Sequence, residues 1–141
     1  LMNQAGSRNL TNVLFLPPAP KTEMPQVLAG ADACIAILKP IKLYKTTYPN
    51  KVFDYMAAGK AVLLVIDGVV RELVEQAGAG IFVEPGNPAA LASAVRQLMQ
   101  NPGDAEKMGQ AGRFYIENMF SRTQIASQFN LLLESLWRKN G

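Results

Sequence analysis

Short apolar runs alternate along the chain with longer segments in which apolar residues recur at helical spacing. The runs are NVLFL at 12–16, ACIAIL at 33–38, AVLLVI at 61–66 and the start of GIFVEPG at 80–86. Two of them, 33–38 and 61–66, are apolar at successive positions, which is typical of parallel strands covered on both faces. The pattern predicts an α/β protein with a parallel sheet of about four strands and helices on both faces.

The segments between these runs carry the signals of helix starts and ends. We expect N-caps at Thr22, Asn50, Asn87 and Ser121, and closing glycines at Gly59 and Gly78. Pro88 and Pro102 suit the first position of a helix. The sequence therefore predicts a helical C-terminal tail from Asn87 to Lys139, which is long for so small a sheet.

Composition narrows the possible chemistry. The 141 residues are 49% hydrophobic and 18% charged, which fits one globular domain with a core. The sequence has no histidine, which excludes Ser-His and Cys-His nucleophilic systems and histidine metal sites. The single cysteine, Cys34, lies in an apolar run and reads as a small buried side chain. No metal is expected.

Charge and hydropathy limit the kinds of binding partner and the cellular location that we expect. The net charge is +3, and Lys39, Lys42 and Lys45 form the only local basic group, which by itself reads as a solvated loop. We therefore expect no nucleic-acid partner. The first residues have no apolar segment typical of a secretion signal. We expect a cytoplasmic protein, and the start at Leu1 suggests a piece of a longer chain.

One helix stands out as a candidate ligand site. It follows the loop after the run at 33–38, so its N-terminus should lie at the carboxyl edge of the sheet, where ligands bind in open parallel sheets. The free N–H groups near Lys51 suit phosphate, and Asp54, one turn in, can accept hydrogen bonds from a ribose diol. The alternative is that Asp54 only complements the helix dipole, and Glu72 in the next helix reads as a solvated acid.

Four segments together carry a family resemblance: MPQVLAGAD, PNKVFDYMAAGKAV, GAGIFVEPGNPAALA and MGQAGRFYIENMFS. In this order they resemble the C-terminal domain of a GT-B glycosyltransferase of the family 4 type (glycosyl transferases group 1). The resemblance covers roughly residues 10 to 137. It implies one half of a GT-B fold, so that residues 1–141 form a partial, Rossmann-like domain that binds a nucleotide sugar.

The resemblance also implies roles for particular residues. Asp54 takes the place of an acid, usually glutamate, that binds the ribose hydroxyls. The turn formed by Gly59, Lys60, Ala61 and Val62 would lie near the nucleotide. The loop with Lys45, Thr46 and Thr47, followed by Lys51, would face the donor sugar and its phosphates.

The chain departs from the family pattern at one position. Members often carry two glutamates with seven residues between them; the second corresponds to Asp54, and the first falls on the uncharged Thr46. Thr46 marks either a subgroup with TTxPxK before the helix or a weakened contact to the sugar. No residue is assigned as catalytic.

The activity that the resemblance implies is retaining transfer of a sugar from a nucleoside diphosphate to an acceptor hydroxyl, in polysaccharide biosynthesis. It also implies a missing N-terminal domain, which would complete the cleft and could bring the protein to the inner face of the membrane. We expect the isolated chain to be inactive. A non-catalytic nucleotide-binding module and a plain α/β domain remain as alternatives.

Overall fold

The computed structural model describes residues 1–140, with side chains to Arg138; Gly141, the last residue of the expected domain, lies outside this range. The helices are α1 (Met2–Ser7), α2 (Met24–Ala29), α3 (Asn50–Ala57), α4 (Val69–Gln76), α5 (Pro88–Gln100), α6 (Pro102–Met119) and α7 (Arg122–Asn140). The strands are β1 (Ala33–Ile37), β2 (Ala61–Val65) and β3 (Gly80–Phe82), and a 3-10 turn spans Lys42–Thr46.

The three strands form one parallel sheet in the order β1-β2-β3. Ala33 pairs with Ala61 and Ile37 with Val65, while Leu64 pairs with Phe82. The expected α/β class and the parallel sheet are confirmed, but the prediction of about four strands is wrong within the described residues.

The missing strand is the run at 12–16, which has no helix or strand and pairs with no other strand in the described part of the chain. Leu14 and Leu16 are 81% and 77% exposed. An apolar run forms a stable strand only where a neighbour accepts its backbone hydrogen bonds and covers one face. Neither condition is met here, so hydrophobicity alone was a misleading signal.

Helices cover both faces of β2, as the sequence predicts. One face packs with α3 and α4 through Val62 and Leu64, and the other packs with α5 through Leu63. All five residues of β2 are buried. β1 differs because it lies at the edge of the sheet, and Ile35 and Ile37 are 42% and 49% exposed.

The helix boundaries agree closely with the sequence signals at some ends and shift at others. The side chain of Asn87 accepts a hydrogen bond from Ala90 N at 2.9 Å, and Ser121 Oγ accepts one from Gln124 N at 3.2 Å. The expected caps Thr22 and Asn50 are wrong by one residue: Glu23 precedes α2, and Asn50 is already the first residue of α3. Such shifts of one residue are common at frayed helix starts.

The end of α3 packs directly on α6. Gly59 closes α3 with a φ of 69°, and its carbonyl oxygen lies so close to Gly109 of α6 that a Cβ there would overlap it. Gly109 is therefore required by the close approach of two backbones. This contact fixes where α3 ends, and so helps to fix the whole helix that carries Asp54.

We expect Gly109→Ala to lower the free energy of unfolding by about 1–3 kcal/mol, the usual cost of overpacking. Gly103 of the same helix is a matched control, because a Cβ there meets nothing within 4 Å. Gly103→Ala should raise the stability by up to about 1 kcal/mol, since alanine is the better helix former. Urea unfolding of the two variants measures both effects, and equal midpoints would contradict the close contact.

No helix in the described part of the chain is long and apolar enough to cross a membrane.

Candidate functional site

Helix α3 runs from the carboxyl edge of the sheet, where the parallel strands end, to the amino edge, where they begin. It begins after the carboxyl end of β1 and ends just before the amino end of β2, where Ala61 pairs with Ala33. Lys51 ties the start of the helix to the sheet, because its Nζ donates a hydrogen bond to the carbonyl oxygen of Ile37 at 3.3 Å. The first turn of α3 therefore lies at the carboxyl edge, as the sequence predicts.

Asp54 lies in a surface groove of about 650 Å³ between α2 and α3. It is the fifth residue of α3, exposed, and takes part in no ion pair among the described side chains. The effect of a helix dipole falls off within the first turn. Stabilisation of the helix end is therefore a weak explanation for this acid, and its carboxylate is available to a ligand.

The groove has an apolar wall beside this acid. Most of the residues that line the groove are apolar, among them Met24, Pro25, Leu28, Phe53 and Ala57. The polar residues of the lining are Lys21, Asn50 and Asp54. The ring of Phe53 is held in place by edge contacts with Tyr48 at 6.1 Å and Phe120 at 5.4 Å between centroids. An apolar wall with one carboxylate at its side suits a flat ring joined to a hydroxyl-bearing group.

The α2 side of this groove was missed by the sequence analysis. Leu28 is the buried residue of this helix, and Met24 remains partly exposed along the groove. The sequence feature that could have indicated this exposed side is the short length of the helix, which starts with Met24-Pro25 and is capped by Gly30. A six-residue helix cannot bury a full face, so some of its apolar residues stay accessible.

The loop with Lys45, Thr46 and Thr47 forms a closed turn at the carboxyl edge. Both threonine hydroxyls donate to the carbonyl oxygen of Leu43, at 3.2 and 3.0 Å. Lys45 Nζ lies 2.8 Å from Asp67 Oδ2, just after β2. Thr46, which stands where the family often has an acid, thus supports the turn itself.

The ion pair of Lys45 and Asp67 shifts both groups toward their charged forms. The hydrogen bond from Lys45 holds the pKa of the Asp67 carboxyl below its ordinary value, and the same bond raises the pKa of Lys45. The pair therefore stays ionised at neutral pH. Its contribution is lost as the pH falls through the lowered pKa of Asp67.

The turn at Gly59, Lys60, Ala61 and Val62 lies at the opposite, amino edge of the sheet. Ala61 and Val62 are fully buried. Lys60 Nζ donates to the carbonyl oxygen of Ala29 at 2.9 Å, which ties this edge to the end of α2. The structure does not bring these four residues together with Lys45 and the start of α3.

Two further residues agree with their sequence-based interpretation. Cys34 is buried, and burial raises the pKa of its thiol, as expected for an inert side chain. Glu72 lies in the first turn of α4 and is exposed to solvent. Among the described residues, no group of three or more acidic, cysteine or histidine side chains is placed to hold a metal ion.

Comparison with known proteins gives two findings. The family model described as "Glycosyl transferases group 1" matches residues 1–114. Among solved structures, the chain is similar to sucrose-phosphate synthase from Thermosynechococcus elongatus, with a TM-score of 0.81 and 22% identity. The match covers 98% of this chain and 34% of the other, so the chain spans about a third of that protein's length. No curated protein sequence is similar enough to count as a relative.

Proposed function

Because the chain belongs to the glycosyl transferases group 1 family, we propose that it is the donor-binding part of a glycosyltransferase that uses a nucleoside diphosphate sugar. The expected fold class, one half of a GT-B fold, agrees with the similarity in structure. The observation that carries the choice of donor is the groove between α2 and α3, where the carboxylate of Asp54, which forms no ion pair with the described side chains, lies beside an apolar wall.

The nucleoside fits this groove by its chemistry. The base packs against the apolar wall around Met24 and Pro25, and the carboxylate of Asp54 accepts hydrogen bonds from the two ribose hydroxyls. Hydrogen bonds to a charged acceptor are stronger than those to a neutral one, so a single acid can fix the ribose. This part of the proposal gives Asp54 the role that the family resemblance implies.

The diphosphate and the sugar extend from the ribose toward the carboxyl edge. The first turn of α3 presents free N–H groups there, with Lys51 beside them. Breaking the anomeric C–O bond leaves growing negative charge on the diphosphate, and these groups stabilise it electrostatically. The acceptor hydroxyl attacks the same face of the sugar, which gives retention of configuration.

We propose that another part of a longer protein supplies the acceptor side of the reaction. The chain corresponds to about a third of the length of the matched protein, so we expect it to bind donor without turning it over. An N-terminal domain of the longer protein would supply the acceptor site and complete the cleft. The longer protein would then act in polysaccharide biosynthesis in the cytoplasm, at the inner face of the membrane.

The test is a thermal-shift panel of UDP, GDP, ADP and their sugars against the full-length protein, with and without EDTA. One base should raise the melting temperature, because a ligand at 100 times its dissociation constant stabilises by about 2.7 kcal/mol. Inorganic diphosphate is the control, and it should give a much smaller shift because it leaves the groove empty. The shift should persist in EDTA.

Two results would contradict parts of this proposal. No shift with any nucleotide would contradict donor binding in the groove and favour a plain α/β module. A shift that disappears in EDTA would contradict metal-independent binding while leaving the groove assignment in place.

A further inference from the structure

The 3-10 turn at Lys42–Thr46 is attached to the turn after β2 by a side-chain contact. Lys45 Nζ and Asp67 Oδ2 are 2.8 Å apart although they are 22 positions apart in the sequence. The two threonine hydroxyls close the 3-10 turn on itself through Leu43 O. The turn is therefore a preformed unit, joined to the sheet through one ion pair.

A backbone contact attaches the same turn at a second point. Gly68 has a φ of 106°, which strongly favours glycine. A Cβ at this position would overlap the carbonyl oxygen and Cα of Lys45. The backbone of the 3-10 turn thus rests directly on Gly68, and any side chain there would have to push the two segments apart.

Asp67 is in turn held by the body of the domain. Arg71 of α4 lies 3.7 Å from its Oδ1, binds Glu75 at 2.7 Å, and stacks 4.0 Å above the ring of Phe82 in β3. The carboxylate therefore has a fixed position relative to two elements of the core. A contact to it fixes the 3-10 turn relative to the sheet.

We propose that Asp67 and Gly68 are positioning residues for donor binding, which hold the 3-10 turn over the carboxyl edge where the diphosphate and the sugar lie. This inference rests on the proposed function. The groove for the nucleoside is formed by α2 and α3, and none of its lining residues belongs to the 3-10 turn. Movement of the turn should therefore affect the sugar and phosphate part of the donor and leave the nucleoside part unchanged.

The test compares the binding of a nucleoside monophosphate with that of the diphosphate sugar of the same base, in the full-length protein. Calorimetry would measure the affinity for UMP, GMP and AMP, and for UDP-glucose, GDP-mannose and ADP-glucose. In Asp67→Asn, the affinity for the matching diphosphate sugar should fall by about 2- to 5-fold, as expected for loss of an exposed ion pair. In Gly68→Ala it should fall by about 10- to 100-fold, because the backbone itself is displaced. Affinity for the monophosphate should stay the same in both variants.

Two controls separate positioning from general damage. Glu75→Gln removes the other partner of Arg71 without touching Lys45, so it should leave both affinities unchanged. Asp67→Glu keeps a carboxylate opposite Lys45 and Arg71, so it should retain most of the affinity that is lost in Asp67→Asn. If melting shows that Gly68→Ala does not fold, Asp67→Asn and Asp67→Glu decide the question.

The outcomes are distinct. Selective loss of diphosphate-sugar affinity in Asp67→Asn, with the affinity retained in Asp67→Glu, supports the inference. Unchanged affinity in Asp67→Asn, or an equal loss for monophosphate and diphosphate sugar, overturns it while the groove assignment stands. A parent protein that binds neither ligand overturns the proposed function, and this inference with it.

Discussion

Asp54→Asn in the full-length protein is expected to lower nucleotide affinity by about 10- to 100-fold. Asparagine keeps the shape of the side chain but loses the charge-assisted hydrogen bonds to the ribose, which are worth roughly 1.5–3 kcal/mol. Folding stability should change by at most about 1 kcal/mol, because Asp54 is exposed and makes no ion pair among the described side chains. Calorimetric titration beside thermal melting measures both quantities.

Two variants make this experiment specific. Asp54→Glu keeps the carboxylate and introduces the acid that the family resemblance implies at this position, so it should retain binding. Glu72→Gln removes an exposed acid from the first turn of α4, away from the groove, and should change nothing. If Asp54→Asn binds nucleotide as the parent does, Asp54 is only a surface acid and the assignment of the ribose site is wrong.

Val52→Asp is expected to unfold the protein, although it lies only two positions from Asp54. Val52 is fully buried in the core between α3 and the sheet. A carboxylate there has no partner and loses its hydration, and such substitutions cost more than about 4 kcal/mol. Small domains have only about 5–15 kcal/mol of stability in total. Circular dichroism and urea unfolding would show the loss of the cooperative transition.

Ala57→Asp is the matched control for this prediction. Ala57 is on the same helix but exposed, so the new carboxylate stays hydrated. Its unfavourable position at the end of α3 should cost no more than about 1 kcal/mol. A Val52→Asp protein that unfolds at the same urea concentration as Ala57→Asp would contradict the packing of α3 on the sheet.

Much of the fold was predictable from local patterns. The uninterrupted apolar run of β2 predicted a strand covered on both faces, and all five residues are buried. The run that became β1 is also entirely apolar, yet alternate residues are exposed because β1 is an edge strand of the sheet. The run at 12–16 forms no strand at all. Composition reports how apolar a segment is, but pairing and cover depend on which neighbours are present.

The candidate site was partly predictable. Helical periodicity puts Val52 and Met56 on the buried face and Asp54 on the opposite one, so a single exposed acid could be identified from the sequence. The wall of the groove could not be identified, because it comes from α2, more than twenty residues earlier in the chain. The role of Lys45 was equally inaccessible, since its partner Asp67 follows a different strand.

The sequence by itself determined the alternation of helices and strands from α2 onward, the parallel sheet, the exposed carboxylate of Asp54 and the resemblance to a glycosyltransferase domain. These features depend on periodicity and on residues close together in the chain. The tertiary structure decided which apolar runs pair as strands and which residues form the groove beside Asp54. It also decided that Lys60 lies at the amino edge of the sheet, whereas Lys51 and Lys45 lie at the carboxyl edge. The physical reason is that α3 runs from the carboxyl edge of the sheet back to its amino edge. Its two ends are neighbours in sequence, but they face different sides of the molecule.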